Sequence, residues 1–76
     1  MIGIGFGNCV RVNGIDAVIN PDSAPVKRMI QEAREMNRLI DATQGRKTRS
    51  VLVMTSGAVV LSALQAETIA QRTNGQ

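Results

Sequence analysis

Residues 50–64, "SVLVMTSGAVVLSAL", hold two apolar runs parted by Ser56 and Gly57, residue types that favour a tight chain reversal. The pattern predicts an antiparallel hairpin with Leu52 opposite Leu61, Met54 opposite Val59, Val53 opposite Val60 and Val51 opposite Ser62. Both faces of that hairpin are apolar. A sheet with one wet face alternates apolar and polar positions, so this hairpin needs cover on both sides. A helix supplies one cover in this reading, and a second subunit the other.

The helix lies upstream in "PDSAPVKRMIQEAREMNR", residues 21–38. Asp22 or Ser23 can cap it, and Pro25 falls in the first turn, where its missing N–H costs little. Val26, Met29, Ile30, Ala33 and Met36 recur as one apolar stripe. Lys27 and Arg28 are oddly placed, because cations near a helix N-terminus oppose its dipole by about 0.3–1 kcal/mol each. Either they pair locally, Arg28 with Glu32 and Lys27 with Asp22, or they belong to an anion site. "LIDAT", residues 39–43, reads as a short strand, and "AETIAQRT", residues 66–73, as a short terminal helix followed by a frayed tail, "NGQ".

Further out, "VNGI", residues 12–15, carries Asn-Gly between apolar residues, a two-residue hairpin signal. It predicts Val12 opposite Ile15, Arg11 opposite Asp16 and Val10 opposite Ala17. The Arg11–Asp16 pair is then worth about 0.2–1 kcal/mol. Gly3, Gly5 and Gly7 do not form a phosphate loop, because position 8 is Asn and a strand rather than a helix follows. Their period of two leaves one face of an extended segment bare, which lets another backbone pack closely.

A chain of 76 residues is one domain, residues 1–76. Domains this small bury only about 60% of the surface of the unfolded chain. Apolar residues make up 43%, with Phe6 the only aromatic. That is more apolar surface than so small a monomer readily hides, and it predicts association with further copies of the chain. Histidine is absent and Cys9 is the single cysteine. The commonest general base and metal ligand are therefore missing, and no internal disulfide can form. Acid–base chemistry through Asp16, Asp22 or Asp41 remains conceivable, but the expectation is a protein that is not an enzyme and holds no cofactor or metal. No run of about 18 apolar residues and no leader pattern occurs, so the expected setting is cytoplasmic, away from membranes.

The net charge is +3. Arg11, Lys27, Arg28, Arg34, Arg38 and Arg72 are matched in number by Asp16, Asp22, Glu32, Glu35, Asp41 and Glu67, so the excess sits in Arg46, Lys47 and Arg49 of "QGRKTRS", residues 44–50. With Gly45 setting the turn, this segment is either an ordinary solvated loop or a contact for a polyanion. Three phosphate contacts are weak alone, with a salt slope of only about −0.9 × 3 per protomer. Repetition in an oligomer makes each later contact effectively intramolecular.

"IGFGN" (residues 4–8), "SAPVKRMIQEAR" (23–34), "LIDAT" (39–43), "GRKTR" (45–49) and "LSALQAET" (61–68) occur in an order that closely resembles the RemA family of bacterial extracellular matrix regulatory proteins. The resemblance implies a DNA-binding transcriptional regulator of biofilm matrix and osmoprotection genes, assembled as a ring that engages DNA along its outside. It places Arg46, Lys47 and Arg49 on the family's basic "GRRTR" segment, with Lys47 where the family has Arg. Gly14 stands where the family carries a further Arg tied to DNA binding, for which Arg11 is the nearby substitute. Gln44 replaces a common Tyr, and Ala66 a Pro.

The resulting expectation is an α+β domain of small antiparallel hairpins packed with one main helix and a short C-terminal helix, forming a ring-shaped homo-oligomer. Its expected partner is duplex DNA, held by Arg46, Lys47 and Arg49, with Arg11, Lys27 and Arg28 as further candidates. The rival is a structural homo-oligomer or adaptor for an acidic protein. RNA fits less well, because single-strand binders stack bases on aromatics and this chain has one.

Overall fold

A computed structural model describes residues 1–74. Six strands and two helices follow in the order β1 (Ile2–Gly5), β2 (Asn8–Val10), β3 (Ile15–Ile19), α1 (Ala24–Glu35), β4 (Leu39–Asp41), β5 (Ser50–Met54), β6 (Val59–Ser62) and α2 (Ala66–Asn74). The tail expected at 74–76 begins with Asn74, which closes α2, and its last two residues lie outside the described ones. No described helix is long and apolar enough to cross a membrane.

The fold is α+β, but its main sheet is mixed rather than a set of hairpins. The strand order is β3-β5-β6-β4, with β3, β5 and β6 antiparallel in turn and β4 parallel to β6. A parallel neighbour cannot be reached by a tight turn, so the chain leaves β3 at one edge, crosses through α1 and returns as β4 at the other.

The hairpin over 50–64 is present, one residue out of the expected register. Ser50 pairs with Ser62, Val51 with Leu61, Leu52 with Val60 and Val53 with Val59. The reason is the turn, which holds three residues, Thr55–Gly57. Gly57 takes φ 94°, its N–H reaches the Met54 carbonyl at 2.9 Å, and the Met54 N–H reaches Ala58 at 2.9 Å. A left-handed glycine closing a three-residue loop is a common hairpin solution, and one extra loop residue shifts every cross-strand pair.

Both faces of this hairpin are covered, as expected, but within one chain. On one face Val51, Val59 and Leu61 pack with Val26 and Ala33 of α1. On the other, Leu52 and Val60 pack with Ile2 and Ile4 of β1 and Ile69 of α2. The second cover is therefore the β1–β2 ribbon and α2, not another subunit. A bulge in β3 between Ile15 and Ala17 lets Ile15 and Val18 join the ribbon side while Ile19 joins the α1 side.

Helix α1 starts where the caps point. The Ser23 hydroxyl, rather than Asp22, accepts the Val26 N–H at 3.4 Å, and Pro25 sits in the first turn. It stops at Glu35, before the expected Arg38, because Asn37 adopts φ 58°. The Arg38 N–H then bonds the Ala33 carbonyl at 2.8 Å and the Asn37 N–H bonds Arg34 at 3.3 Å, the paired bonds of a Schellman stop.

The Asn13–Gly14 hairpin does not form. Val12–Gly14 is a single 3₁₀ turn, β2 pairs with β1, and β3 pairs with β5. Val10 accordingly faces Ile2, and Arg11 and Asp16 are not cross-strand partners. The tight turn lies instead at Phe6–Gly7, with φ 54° and 81°, between Gly5 and its partner Asn8. Two left-handed central residues define the turn that matches hairpin twist. Gly5, itself at φ 107°, and Gly7 thus serve backbone conformation rather than close packing of another backbone.

Candidate nucleic-acid interface

The basic segment leaves β4 through a short, pinned connection. The Thr43 hydroxyl and N–H both donate to Asp41 Oδ1, and Thr43 itself is buried. The Arg46 N–H returns to the Thr43 carbonyl at 3.0 Å, with Gln44 at φ 55° and Gly45 at φ 79° between them. Gly45 sets the turn as expected, and Gln44 shares the left-handed conformation. At the far end the Arg49 N–H bonds the Ser62 carbonyl at 2.8 Å, and the buried Ser50 hydroxyl donates to Leu64 at 2.7 Å. Arg46, Lys47 and Arg49 are exposed between two fixed anchors.

Asp41 titrates below the ordinary aspartate range. The Thr43 hydroxyl is the largest cause and the Thr43 N–H the next, both favouring the carboxylate over a weaker opposing effect of burial, with Arg34 adding a favourable charge. A carboxyl depressed in the folded state adds stability above its unfolded value, about pH 3.9, and loses it as the pH falls through the folded value. Asp41→Asn is therefore expected to lower stability at neutral pH, where the carboxylate's contribution is present, and to flatten the acid limb of the stability curve below about pH 4, where the two proteins converge. The change should be small, because the group is exposed and screened. Urea melts of both proteins across that range check it, and parallel acid limbs would show that Asp41 does not anchor the turn.

Two shallow depressions meet at the basic segment. Phe6, Arg46, Lys47, Arg49, Ala63 and Leu64 line the first. Pro21, Asp22, Lys47, Thr48, Arg49 and Gln65 line the second, which brings the approach to α1 beside the segment. Lys27 and Arg28 are exposed on the first turns of that helix. Arg11 is not brought to the cluster. It follows β2 at the open end of the ribbon and shares a separate depression with Met1, Val12, Asn13 and Thr73, whereas the ribbon tip at Phe6 is the end that meets Arg46. A side chain at Gly14, where the family's Arg belongs, would start 3.2 Å from Met54 Cε, so that Met would have to shift.

Phe6, which the sequence reading left out of the site, lies beside the basic segment. The residue is 48% exposed, and the Arg46 guanidinium carbon lies 5.3 Å from the ring centroid, within cation–π range. The signal was the glycine pair flanking it, Gly5 and Gly7, which marks a turn tip as readily as a packing face. Chemically the surface offers fixed cations and one apolar ring. Among the described residues no three His, Cys, Asp or Glu side chains gather as a metal site.

Residues 1–73 match the family model described as RemA-like, extracellular matrix regulatory protein A-like. A relative in Brevibacillus brevis is 57% identical over 72 residues, spanning 95% of this chain and 84% of its own. One in Halalkalibacterium halodurans is 58% identical over 72 residues, 95% and 83% of the two chains. A third, in Bacillus cytotoxicus, is 57% identical over 75 residues, 99% and 86%. All three bear provisional names as regulatory proteins.

Proposed function

This chain belongs to the RemA-like family, and on that premise we propose that it is a regulator that grips duplex DNA through basic loops repeated around a closed homo-oligomer. The genes it controls, in this reading, are of the biofilm matrix type. The observation that carries the reading is the exposed triad Arg46, Lys47 and Arg49, which holds the whole net charge on a segment anchored at both ends. A backbone anchored at both ends limits where the cations can reach, and phosphate contacts position a protein on DNA without reading bases. Specificity then rests on DNA shape and curvature.

Self-association is supported by the free edge of the main sheet. Among the described residues β4 bonds only to β6, and Ile40 on this edge strand is 54% exposed. Met36, 60% exposed, precedes the same strand. Uncovered apolar edges are surfaces that proteins otherwise shield.

Titration of duplex DNA against salt tests the DNA reading. Arg46→Ala combined with Lys47→Ala should reduce the slope of log affinity against log salt by about 1.8 per engaged protomer, two phosphate contacts at about 0.9 each. Equal binding by both proteins would remove the loop from the interface. Failure of both to bind at moderate salt would favour the adaptor for an acidic protein.

A further inference from the structure

Phe6 is an expensive residue in its place. The first central position of the β1–β2 turn requires a left-handed backbone, and Phe6 has φ 54° there. Asn, Asp and Gly take that conformation readily, whereas bulky side chains do so against steric resistance. Core packing does not offset the strain, because Phe6 is 48% exposed and belongs to neither apolar cluster. It is also the chain's only aromatic. An outlier the fold does not need is a reason to look for a function.

Its surroundings say which. The ring stacks with Arg46 and lines one depression with Lys47 and Arg49. An apolar plate ringed by three phosphate-binding cations matches a DNA groove, where sugar and base surface lies between two charged backbones. We infer that Phe6 is a DNA-contact residue, packing its exposed face on the sugar–base wall of the groove while the flanking cations hold the phosphates. The ribbon position is fixed for this task. The Ser62 hydroxyl donates to the Ile4 carbonyl at 2.7 Å, which ties the first limb to β6, and the Asn8 amide donates to the Gly5 carbonyl at 3.1 Å, which braces the turn across itself.

The inference rests on the DNA reading above, and its test separates the two. Phe6→Asn places a residue suited to the turn, so the melting temperature should hold or rise. Its duplex affinity should fall about fivefold, the fold-change for losing half of a buried aromatic face. The salt slope should not change, because no charge is lost. Phe6→Tyr should restore binding. The loss should persist in an Arg46→Ala background, since the ring touches DNA itself. Wild-type affinity in Phe6→Asn would overturn the inference alone, as would a loss that vanishes once Arg46 is gone. So would a changed particle mass in Phe6→Asn by mass photometry, which would make the ring a subunit contact. A wild-type protein that shifts no duplex at low salt overturns the DNA reading and this inference with it.

Discussion

Replacing Leu52 by alanine is expected to lower the unfolding free energy by about 2–5 kcal/mol, the range for truncating a fully enclosed leucine. Leu52 has no exposed surface, lies on the central strand β5 and is flanked across the sheet by Val18 on β3 and Val60 on β6. Ile2, Ile4 and Ile69 close over it from β1 and α2. Those covering elements are short and tied down at their ends, so they cannot collapse into the void. A domain of this size has only about 5–15 kcal/mol in total, and each kcal/mol moves the midpoint of a melt by about 4–8 °C. Thermal and urea melts at one fixed protein concentration read the effect directly. A loss below about 1 kcal/mol, the level of an ordinary point change, would mean that the ribbon and α2 do not seal this face.

Ile40→Asp should produce the second large change, in assembly rather than in folding. Ile40 pairs in register with Val60, so it shares the ribbon face of the sheet, but at an edge where the ribbon and α2 leave it exposed. A carboxylate there puts charge on the free edge, and charge on an edge strand opposes pairing with a further chain. On the proposed assembly, particle mass is expected to fall toward that of a single protomer with the circular dichroism spectrum unchanged, and a wild-type protein that is already a single protomer would overturn that assembly. Duplex affinity should fall with it by about 10²–10⁴, because linked contacts are lost together. A particle of unchanged mass would place the subunit contact elsewhere.

Much of this molecule could be read before its shape was known, where local chemistry decides. Ser23 and Pro25 mark the start of α1, "LIDAT" gives β4, and Gly45 gives the turn ahead of the basic residues. The apolar faces of β5 and β6 called for two covering layers, which exist. Long-range pairing decided the rest. Asn13–Gly14 carries a strong turn preference, yet β2 finds β1 and β3 finds β5, because those pairings bury Ile15, Val18 and Ile19. A turn preference of local origin is outweighed by such burial. The register of β5 on β6 hung on one loop residue, and that shift sets Ser62 opposite Ser50 on the ribbon face, where the two hydroxyls bond Ile4 and Leu64. Of the site, the three cations were legible from charge counting. Phe6 was not, since nothing local says that a ribbon tip comes to rest against a segment forty residues later.

The stitching of the two ends has its own consequence. The Ile4 carbonyl is held by Ser62, and the Gly3 carbonyl takes the Arg72 guanidinium at 2.8 Å. The first strand pairs at once with its neighbour β2, but its far side is held by residues from the opposite end of the described chain. Ile2 and Ile4 find their full cover only through contacts with Leu52, Val60 and Ile69, about fifty residues or more away along the chain, and closing loops of that length is the kind of pairing that slows folding.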